Sequence, residues 1–404
     1  MLSRKRFLAA SLALALAALA APAAAQKKYD PGATDTEIKI GNTMPYSGPA
    51  SAYGTIGKVE AAYFKMLNEH GGINKRKINF ISLDDGYSPP KTVEMVRRLV
   101  EQDEVLFLLG TLGTPPNTAI HKYMNSKKVP HLFLATGASK WNDPKNFPWT
   151  MGFNVNYQSE GKLYGQDILK TRPNAKIAVL YQNDDYGKDY LKGFKDGLGD
   201  KAKTMIVAEQ TYEVTDPTID SQIVSLKGSG ADTFFNITTP KFGAQAIRKV
   251  AEVGWKPVHY LNQVSASVGS VLKPAGLENA VGLISMQYIK DPSDPAWQND
   301  PVMKEYFAFL KQYAPDVGLD DGNGTTGYAV AQLITQVLKQ AGDNLTRENI
   351  MKQAASLKNF QVPMAIPGIL ANTGPDDYAP FQTMQLVKFN GKNWVPYGVP
   401  VEVK

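Results

Sequence analysis

Two apolar runs between residues 104 and 139 constrain the fold more than any other feature, because each ends in a small, polar, glycine-containing turn. The first run, residues 104–110, leads into residues 111–120, and the second, residues 129–135, leads into residues 136–139. A short apolar run without polar alternation is typical of a strand that is covered on both faces, as in a parallel α/β sheet. Thr114 followed by proline predicts a helix N-cap with proline in the first turn.

These two turns predict a binding edge. In parallel α/β sheets, ligands bind beyond the carboxyl ends of the strands. Free backbone N–H groups and a helix N-terminus at that edge attract anions, including carboxylates. Either turn alone is compatible with ordinary loop chemistry, but two of them on successive apolar runs favour a ligand site.

The rest of the chain alternates between strand and helix patterns in two series, separated by a change in composition near residue 150. This alternation predicts two α/β lobes, each with a right-handed parallel sheet. Three helices are predicted at 301–313, 327–340 and 346–357, followed by short antiparallel strands from residue 382. Helices without strands of their own must pack on an earlier sheet, so we expect the chain to return to the first lobe.

The N-terminus has the pattern of a secretory signal peptide. Three basic residues at 4–6 precede an apolar stretch at 7–21, and three alanines end at Ala25 before Gln26. The apolar stretch is short for a bilayer span, and small residues mark a cleavage site. We expect cleavage after Ala25 and export to the periplasm; the alternative is an uncleaved membrane anchor.

Composition excludes several classes of function. The chain has no cysteine, which excludes disulfides, thiolate chemistry and cysteine-ligated zinc. Removing residues 1–25 lowers the formal charge from +6 to +3, with 41 basic and 38 acidic residues left. No basic cluster remains in the mature part, so we expect no nucleic-acid partner.

No catalytic constellation is evident. Gly322 to Gly327 matches the dinucleotide-binding fingerprint, but a helix and a loop precede it instead of a strand, which predicts a flexible entry to a helix near Thr325. Asp84 and Asp85 follow a strand and point apart, which favours turn and capping roles. The four histidines lie on separate elements without metal-ligand spacing. We therefore expect a site that holds a ligand without transforming it, with no cofactor and no metal.

Several stretches carry a family resemblance: Ile38–Gly41, Ser47–Pro49, Asn68–Ile73, Gly110–Thr118, Thr136–Ser139 and Tyr186–Gly187. In order and spacing the chain resembles the branched-chain amino acid type of periplasmic solute-binding protein, which delivers ligand to an ABC importer. The resemblance implies the type I fold, in which two doubly wound lobes joined by three crossovers enclose a ligand in their cleft. It implies a first lobe of residues 37–156 with 288–365, and a second of 157–287 with 366–404.

The resemblance also implies a ligand site. The family positions that hold a carboxylate fall on Thr114, Ala138 and Ser139, and its aromatic wall positions fall on Tyr53 and Tyr186. The pocket tyrosine of the second lobe falls on Thr238. The acidic positions that hold an ammonium group fall on Tyr157 and Gln263, which are both neutral. Phe153 and Tyr157 could flank a flat ring together with the two wall tyrosines.

The expected function is therefore a transport receptor for a small carboxylate without an ammonium group, either aromatic or short and aliphatic. Its expected partner is the membrane permease of an ABC importer, and we expect a monomer. One alternative is an amino acid or amide bound by other polar groups of the same fold. The others, from different classes, are an exported enzyme acting on a small acid and the sensing module of a signalling system.

Overall fold

The computed structural model describes residues 27–403, so the predicted signal peptide and its cleavage site lie outside the described residues. A two-residue strand, β1, precedes the first of two large sheets. That sheet is entirely parallel and has the order β3-β2-β4-β5-β6. The bounds are β1 Lys28–Tyr29, β2 Glu37–Met44, β3 Lys77–Asp84, β4 Phe107–Leu109, β5 His131–Leu134 and β6 Thr150–Gly152.

The first sheet contains both apolar runs for which the sequence predicts buried strands. Every residue of β4 and β5 is buried, which confirms that interpretation. Three helices connect these strands: α1 (Gly54–Glu69), α2 (Pro89–Glu101) and α3 (Thr114–Lys127). The α3 N-terminus therefore lies at the carboxyl edge of β4, where ligands bind in such sheets.

The second sheet has the order β14-β13-β11-β10-β9-β7-β8, and β15 also pairs with β13. Strands β7 to β11 are parallel, whereas β13 to β15 are antiparallel, as the sequence after residue 382 predicts. The strand bounds are β7 Ile177–Gln182, β8 Ile206–Tyr212, β9 Thr233–Ile237, β10 Val258–Leu261, β11 Ile284–Gln287, β13 Thr383–Phe389, β14 Trp394–Pro396 and β15 Val401–Glu402. The helices around it are α4 Tyr157–Thr171, α5 Asp185–Leu198, α6 Asp220–Gly228 and α7 Pro240–Glu252.

The last third of the chain packs on the first sheet's helices. It forms α8 (Pro301–Tyr313), α9 (Gly322–Ala341), β12 (Asn344–Leu345) and α10 (Arg347–Ala354), and β12 pairs with β1. Helix α9 lies against α1 so closely that a Cβ at Gly327 would be 2.4 Å from the carbonyl oxygen of Ile56. The Tyr328 ring also meets the Tyr63 ring edge-on, with 5.0 Å between centroids.

The glycine-rich motif at 322–327 is not the flexible helix entry that the sequence suggests. Helix α9 begins at Gly322, and Asp321 caps it by accepting a hydrogen bond from the Asn323 N–H at 3.1 Å. Gly327 allows the close packing on α1, and Gly324 allows the close approach of the Tyr306 hydroxyl on α8. Tertiary contact therefore outweighs the low helix propensity of these two glycines.

Thr114 is likewise not the N-cap of its helix. Gly113 holds the cap position with a φ of 93°, a conformation that favours glycine, and Thr114 is the first helical residue. The Thr114 hydroxyl bonds to the hydroxyl of Thr136 at 2.6 Å instead of capping the helix.

The two adjacent aspartates at the end of β3 have the structural roles that their position predicts. Asp84 Oδ1 accepts from the backbone N–H groups of Tyr46 and Gly86, which holds two loops together. Asp85 accepts from the Tyr87 N–H and the Thr92 hydroxyl at the start of α2.

Candidate ligand-binding site

A cavity lies between the carboxyl edges of the two large sheets. The space free of protein atoms is about 830 Å³, part of it open to solvent. This size is within the range of small-molecule sites. Five of the nine predicted site residues line it: Tyr53, Thr114, Tyr157, Tyr186 and Gln263.

One end of the cavity is the N-terminus of α3. Pro115 and Pro116 have no N–H, and the Asn117 N–H donates to the carbonyl of Gly113 at 3.1 Å. The Thr114 N–H donates to no group of residues 27–403. This first turn therefore presents one free N–H at the positive end of the helix dipole, which favours an anionic partner.

Tyrosine rings form much of the cavity wall. The Tyr157 ring stacks on Tyr190, with centroids 4.3 Å apart and 20° between the planes. Tyr186 meets both rings edge-on at 5.5 Å. Its hydroxyl donates to the Thr238 carbonyl at 2.9 Å and accepts from the side-chain amide of Asn262 at 2.6 Å. These bonds and contacts hold two of the wall rings in fixed orientations.

A second pair of wall tyrosines comes from the first lobe. Tyr53 and Tyr87 are buried at 6% exposure each and pack with Ile56 and Leu112. The Tyr53 hydroxyl donates to the backbone carbonyl of Val264, beyond β10 of the second sheet, at 3.1 Å. This bond closes one side of the cavity with groups from both sheets.

A buried carboxyl stands behind the wall at Gln263. The Gln263 N–H donates to Glu160 Oε1 at 2.7 Å, and the hydroxyls of Tyr164 and Tyr190 donate to the same carboxyl at 2.9 and 2.6 Å. Burial raises the pKa of Glu160 to about 7, although these hydrogen bonds lower it. Because Glu160 does not line the cavity, it positions wall groups and is not available to pair with a ligand.

Ser139 does not line the cavity, contrary to the sequence prediction. Its N–H donates to Asp189 Oδ2 at 2.7 Å and its hydroxyl to Asp189 Oδ1 at 2.8 Å. The Ser139 hydroxyl, which the resemblance assigns to a ligand's carboxylate, is thus bound by a carboxylate of the chain itself, and so is the Ser139 N–H. Residues 139 and 189 are 50 positions apart, and no local sequence signal relates them.

Three other predicted residues also lie off the cavity. Ala138 is buried beside a separate small pocket. Phe153 is fully buried and packs edge-on against Phe381 at 5.5 Å, because the crossover that carries it runs through the core. Thr238 is fully buried with its hydroxyl on Asn236, whereas the next residue, Thr239, lines the cavity.

Sequence reasoning missed the groups at the far end of the cavity. Lys290 is the only cationic side chain among the described lining residues, and its Nζ is 2.9 Å from Asp300 Oδ2. Asp291 is the only acidic one, and it accepts hydrogen bonds from the N–H and hydroxyl of Ser293 and, at 3.3 Å, from the Gln287 amide. Burial raises the pKa of Asp291 to about 6. Both residues follow β11 in a crossover, where no sequence motif marks them.

Other missed lining residues are polar and neutral. Asn154 lies where the chain crosses between the sheets, and its Oδ1 is buried without a hydrogen-bond partner in residues 27–403. The first turns of α9 contribute Asn323, Thr325 and Thr326. The Asn154 oxygen could accept a hydrogen bond from a ligand hydroxyl or N–H.

Comparison with known proteins assigns the family. Residues 37–393 match the periplasmic binding protein family, which is most of the chain. This chain belongs to that family. A curated relative of this periplasmic binding protein is the Leu/Ile/Val-binding protein homolog 1 of Brucella suis. It is 27% identical over 340 residues, which are 81% of this chain and 85% of the relative.

Solved structures show the same fold at low sequence identity. The fatty acid ABC transporter substrate-binding protein from Thermomonospora curvata has a TM-score of 0.79 and 21% identity, covering 94% of this chain and 95% of its own. A branched-chain amino acid ABC transporter protein from Thermus thermophilus with bound valine has a TM-score of 0.81 and 16% identity, covering 92% and 97%. A solute-binding protein from Rhodopseudomonas palustris BisB5 in complex with 3,4-dihydroxybenzoic acid has a TM-score of 0.77 and 19% identity, covering 91% and 98%. This periplasmic binding protein therefore has the type I fold.

Within residues 27–403 of this periplasmic binding protein, no group of three or more His, Cys, Asp or Glu side chains could hold a metal ion. No helix in the same range has the length and apolar character needed to cross a membrane. The cavity combines aromatic walls, one free helix-terminal N–H and neutral hydrogen-bonding groups with Lys290 and Asp291 at its far end. Such an arrangement can bind and orient a small ligand.

Proposed function

We propose that this periplasmic binding protein is the receptor of an ABC importer for a small carboxylate that has no ammonium group, with an aromatic ring as the favoured body. The cluster of wall tyrosines around a cavity with a free helix N-terminus carries the proposal. The protein would bind this acid without transforming it and release it to a membrane permease as a monomer.

The aromatic wall is an argument for a flat, aromatic ligand. Tyr53, Tyr87, Tyr157 and Tyr186 are all nearly fully buried, so their faces and edges are held in place. Aromatic pairs contribute roughly 0.5–1.5 kcal/mol beyond the area that they bury. A benzoate- or cinnamate-like ring could make one or two such contacts, which a leucine side chain could not.

The Thr114 end supports a carboxylate. An N–H at a helix N-terminus is a good donor to an anion, because the helix dipole adds to the hydrogen bond. With Ser139 paired to Asp189, Thr114 is the predicted carboxylate group that remains at the cavity. We therefore place the ligand's carboxylate at the α3 N-terminus.

The scarcity of acceptors for an ammonium group supports a ligand without one. Burying an unpaired charge costs several kcal/mol, and Tyr157 and Gln263 bring no negative charge. Glu160 is behind the wall with its oxygens already bonded. The second candidate, an amino acid, is favoured by Asp291 alone, whose oxygens already accept bonds from Ser293 and Gln287.

The similar structures differ in the class of their ligands. One is a fatty acid ABC transporter substrate-binding protein, one has bound valine and one is in complex with 3,4-dihydroxybenzoic acid, so the shared fold serves aliphatic, amino and aromatic acids. The residues of each cavity must therefore select the ligand, and in this chain they favour the aromatic acid.

The two large sheets would belong to two lobes that close on the ligand. We propose a first lobe of residues 37–156 with 288–365 and a second of 157–287 with 366–404. Because both lobes contribute wall residues, ligand binding should favour the closed arrangement.

A thermal-shift screen of small acids tests the proposal. A ligand at a hundred times its dissociation constant adds about 2.7 kcal/mol of stability, which is readily seen as a rise in melting temperature. Benzoate, cinnamate and their hydroxylated forms should raise it, and the recovered acid should be unchanged. A rise with leucine, isoleucine and valine but none with these acids would favour the amino acid candidate.

A further inference from the structure

The carboxylate of Asp189 joins two parts of the chain that belong to different sheets. Asp189 lies on α5, between β7 and β8 of the second sheet, and Ser139 follows β5 of the first. The Ser139 N–H and hydroxyl donate to its two oxygens at 2.7 and 2.8 Å, and the Gln158 amide donates to Oδ1 at 2.6 Å. Gln158 also donates to the Ser139 hydroxyl oxygen at 2.9 Å. All four bonds close a single network across the cleft.

A backbone N–H and a hydroxyl that converge on both oxygens of one carboxylate form an anion position. Hydrogen bonds with a charged partner are roughly twice as strong as neutral ones. A second carboxylate at this position would lack donors, because Asp189 already uses them, and would be repelled by the Asp189 charge.

From these contacts we infer that Asp189 fills the anion position at Ser139 from within the chain and ties the two lobes together. A second carboxylate is thereby excluded from this position, which lies outside the cavity. This inference goes beyond the proposed function, and the contact between the lobes can be tested without any ligand.

The ion pair next to the Ser139–Asp189 network is weaker than that network. Lys140 Nζ pairs with Asp185 Oδ2 at 2.5 Å, yet the Asp185 side chain is 56% exposed. Exposed ion pairs contribute little to stability. Asp189 and Ser139 are only partly exposed, so their bonds should stabilise the contact between the lobes more than the Lys140–Asp185 pair does.

The distance between the lobes tests whether Asp189 ties them together. Because the chain has no cysteine, Glu94→Cys and Lys203→Cys place two spin labels, one on α2 and one in the exposed segment before β8, with no native thiol to interfere. Asp189→Ala in the ligand-free protein should shift the label distances towards an open form and lower the closed-to-open ratio about fivefold, less than for a fully buried charged bond.

Matched variants separate this effect from a loss of charge on α5. Asp200→Ala removes an exposed carboxylate just beyond the C-terminus of α5, and it should leave the distances unchanged. Ser139→Ala should change them in the same direction as Asp189→Ala, and the double variant should add little to either single one. Unfolding curves confirm that each variant folds.

Acetate tests whether the Ser139 donors form an anion position. In Asp189→Ala the Ser139 donors have no acceptor, so millimolar acetate should bind there and restore the short distances, whereas the parent should not respond. Equal distances in parent and Asp189→Ala would overturn the contact between the lobes. No response of Asp189→Ala to acetate would overturn the anion position. If these results hold but no aromatic acid binds the parent, the proposed function fails and the role of Asp189 stands.

Discussion

The backbone N–H of Gln263, in the cavity wall, donates to the buried carboxyl of Glu160 at 2.7 Å. The other oxygen of this carboxyl accepts from the hydroxyl of Tyr190, whose ring stacks on the wall residue Tyr157. One buried group therefore orients wall residues on two sides of the cavity. Its protonation should affect stability and wall geometry together.

Glu160→Gln should change how stability depends on pH. Burial raises the Glu160 pKa from its ordinary value of 4.5 to about 7 in the folded protein. Between those values the unfolded carboxyl ionises while the folded one keeps its proton, so the parent loses stability relative to the glutamine variant as pH rises. The relative loss should reach about 3 kcal/mol by pH 7 and then stay constant. Urea unfolding of both proteins from pH 4.5 to 8 measures it, and a difference that does not vary with pH would contradict the raised pKa.

Tyr53→Phe should weaken ligand binding without removing the ring from the wall. The lost hydroxyl donates to Val264 from across the cleft, and a neutral hydrogen bond contributes about 0.5–1.5 kcal/mol, or roughly two- to tenfold in affinity. Calorimetry with the acid identified by the thermal-shift screen measures it. Tyr123→Phe removes a hydroxyl from the exposed face of α3 and serves as the control, with no expected change. Equal affinities in all three proteins would show that the bond to Val264 does not help to close the lobes.

Two substitutions at Thr114 distinguish the contribution of its hydroxyl to ligand affinity from the contribution of its N–H. Thr114→Val removes the hydroxyl, which bonds to Thr136 and not to the ligand, so affinity should fall less than threefold. Thr114→Pro also removes the N–H, and proline is well tolerated in the first turn of a helix. Loss of a hydrogen bond to a carboxylate should then lower affinity about ten- to hundredfold. If both variants, folded to the same degree, bind alike, the carboxylate is not at the α3 N-terminus.

Asn154→Leu tests whether the ligand donates a hydrogen bond to the side-chain oxygen of Asn154. The Asn154 Oδ1 has no partner in residues 27–403, so a ligand hydroxyl should satisfy it. Hydroxybenzoates should therefore lose more affinity than benzoate in this variant, by roughly two- to tenfold. Calorimetry with the matched pair of acids on both proteins gives the comparison. An equal loss for both acids would assign Asn154 a purely structural role.

The sequence predicts the parts of this fold that depend on local patterns. The apolar runs at β4 and β5 become strands buried on both faces, and the residues after 382 become antiparallel strands, because periodicity and turn residues act within one element. Local patterns also place Thr114 at the cavity edge. They misassign its capping role, since the Gly113 conformation is decided by the turn as a whole.

The parts of the site that depend on contacts between distant residues could not be predicted. Asp189 pairs with Ser139 across the two lobes, so Ser139 looks available when its own turn is considered alone. Thr238 and Thr239 are adjacent after β9, and a one-residue difference decides which of them faces the cavity. Lys290 reaches the cavity because a crossover passes there, which depends on how the two sheets are arranged.

The most direct test of the central claim is a comparison of affinities on the parent protein by isothermal titration calorimetry. We predict that benzoate- or cinnamate-like acids, or otherwise short aliphatic acids, bind at least about a hundredfold more tightly than leucine, isoleucine or valine. The reason is that Asp291, the one acidic side chain among the described lining residues, already accepts hydrogen bonds from Ser293 and Gln287. Micromolar binding of leucine, together with no binding of aromatic or aliphatic acids that have no amino group, would contradict the account.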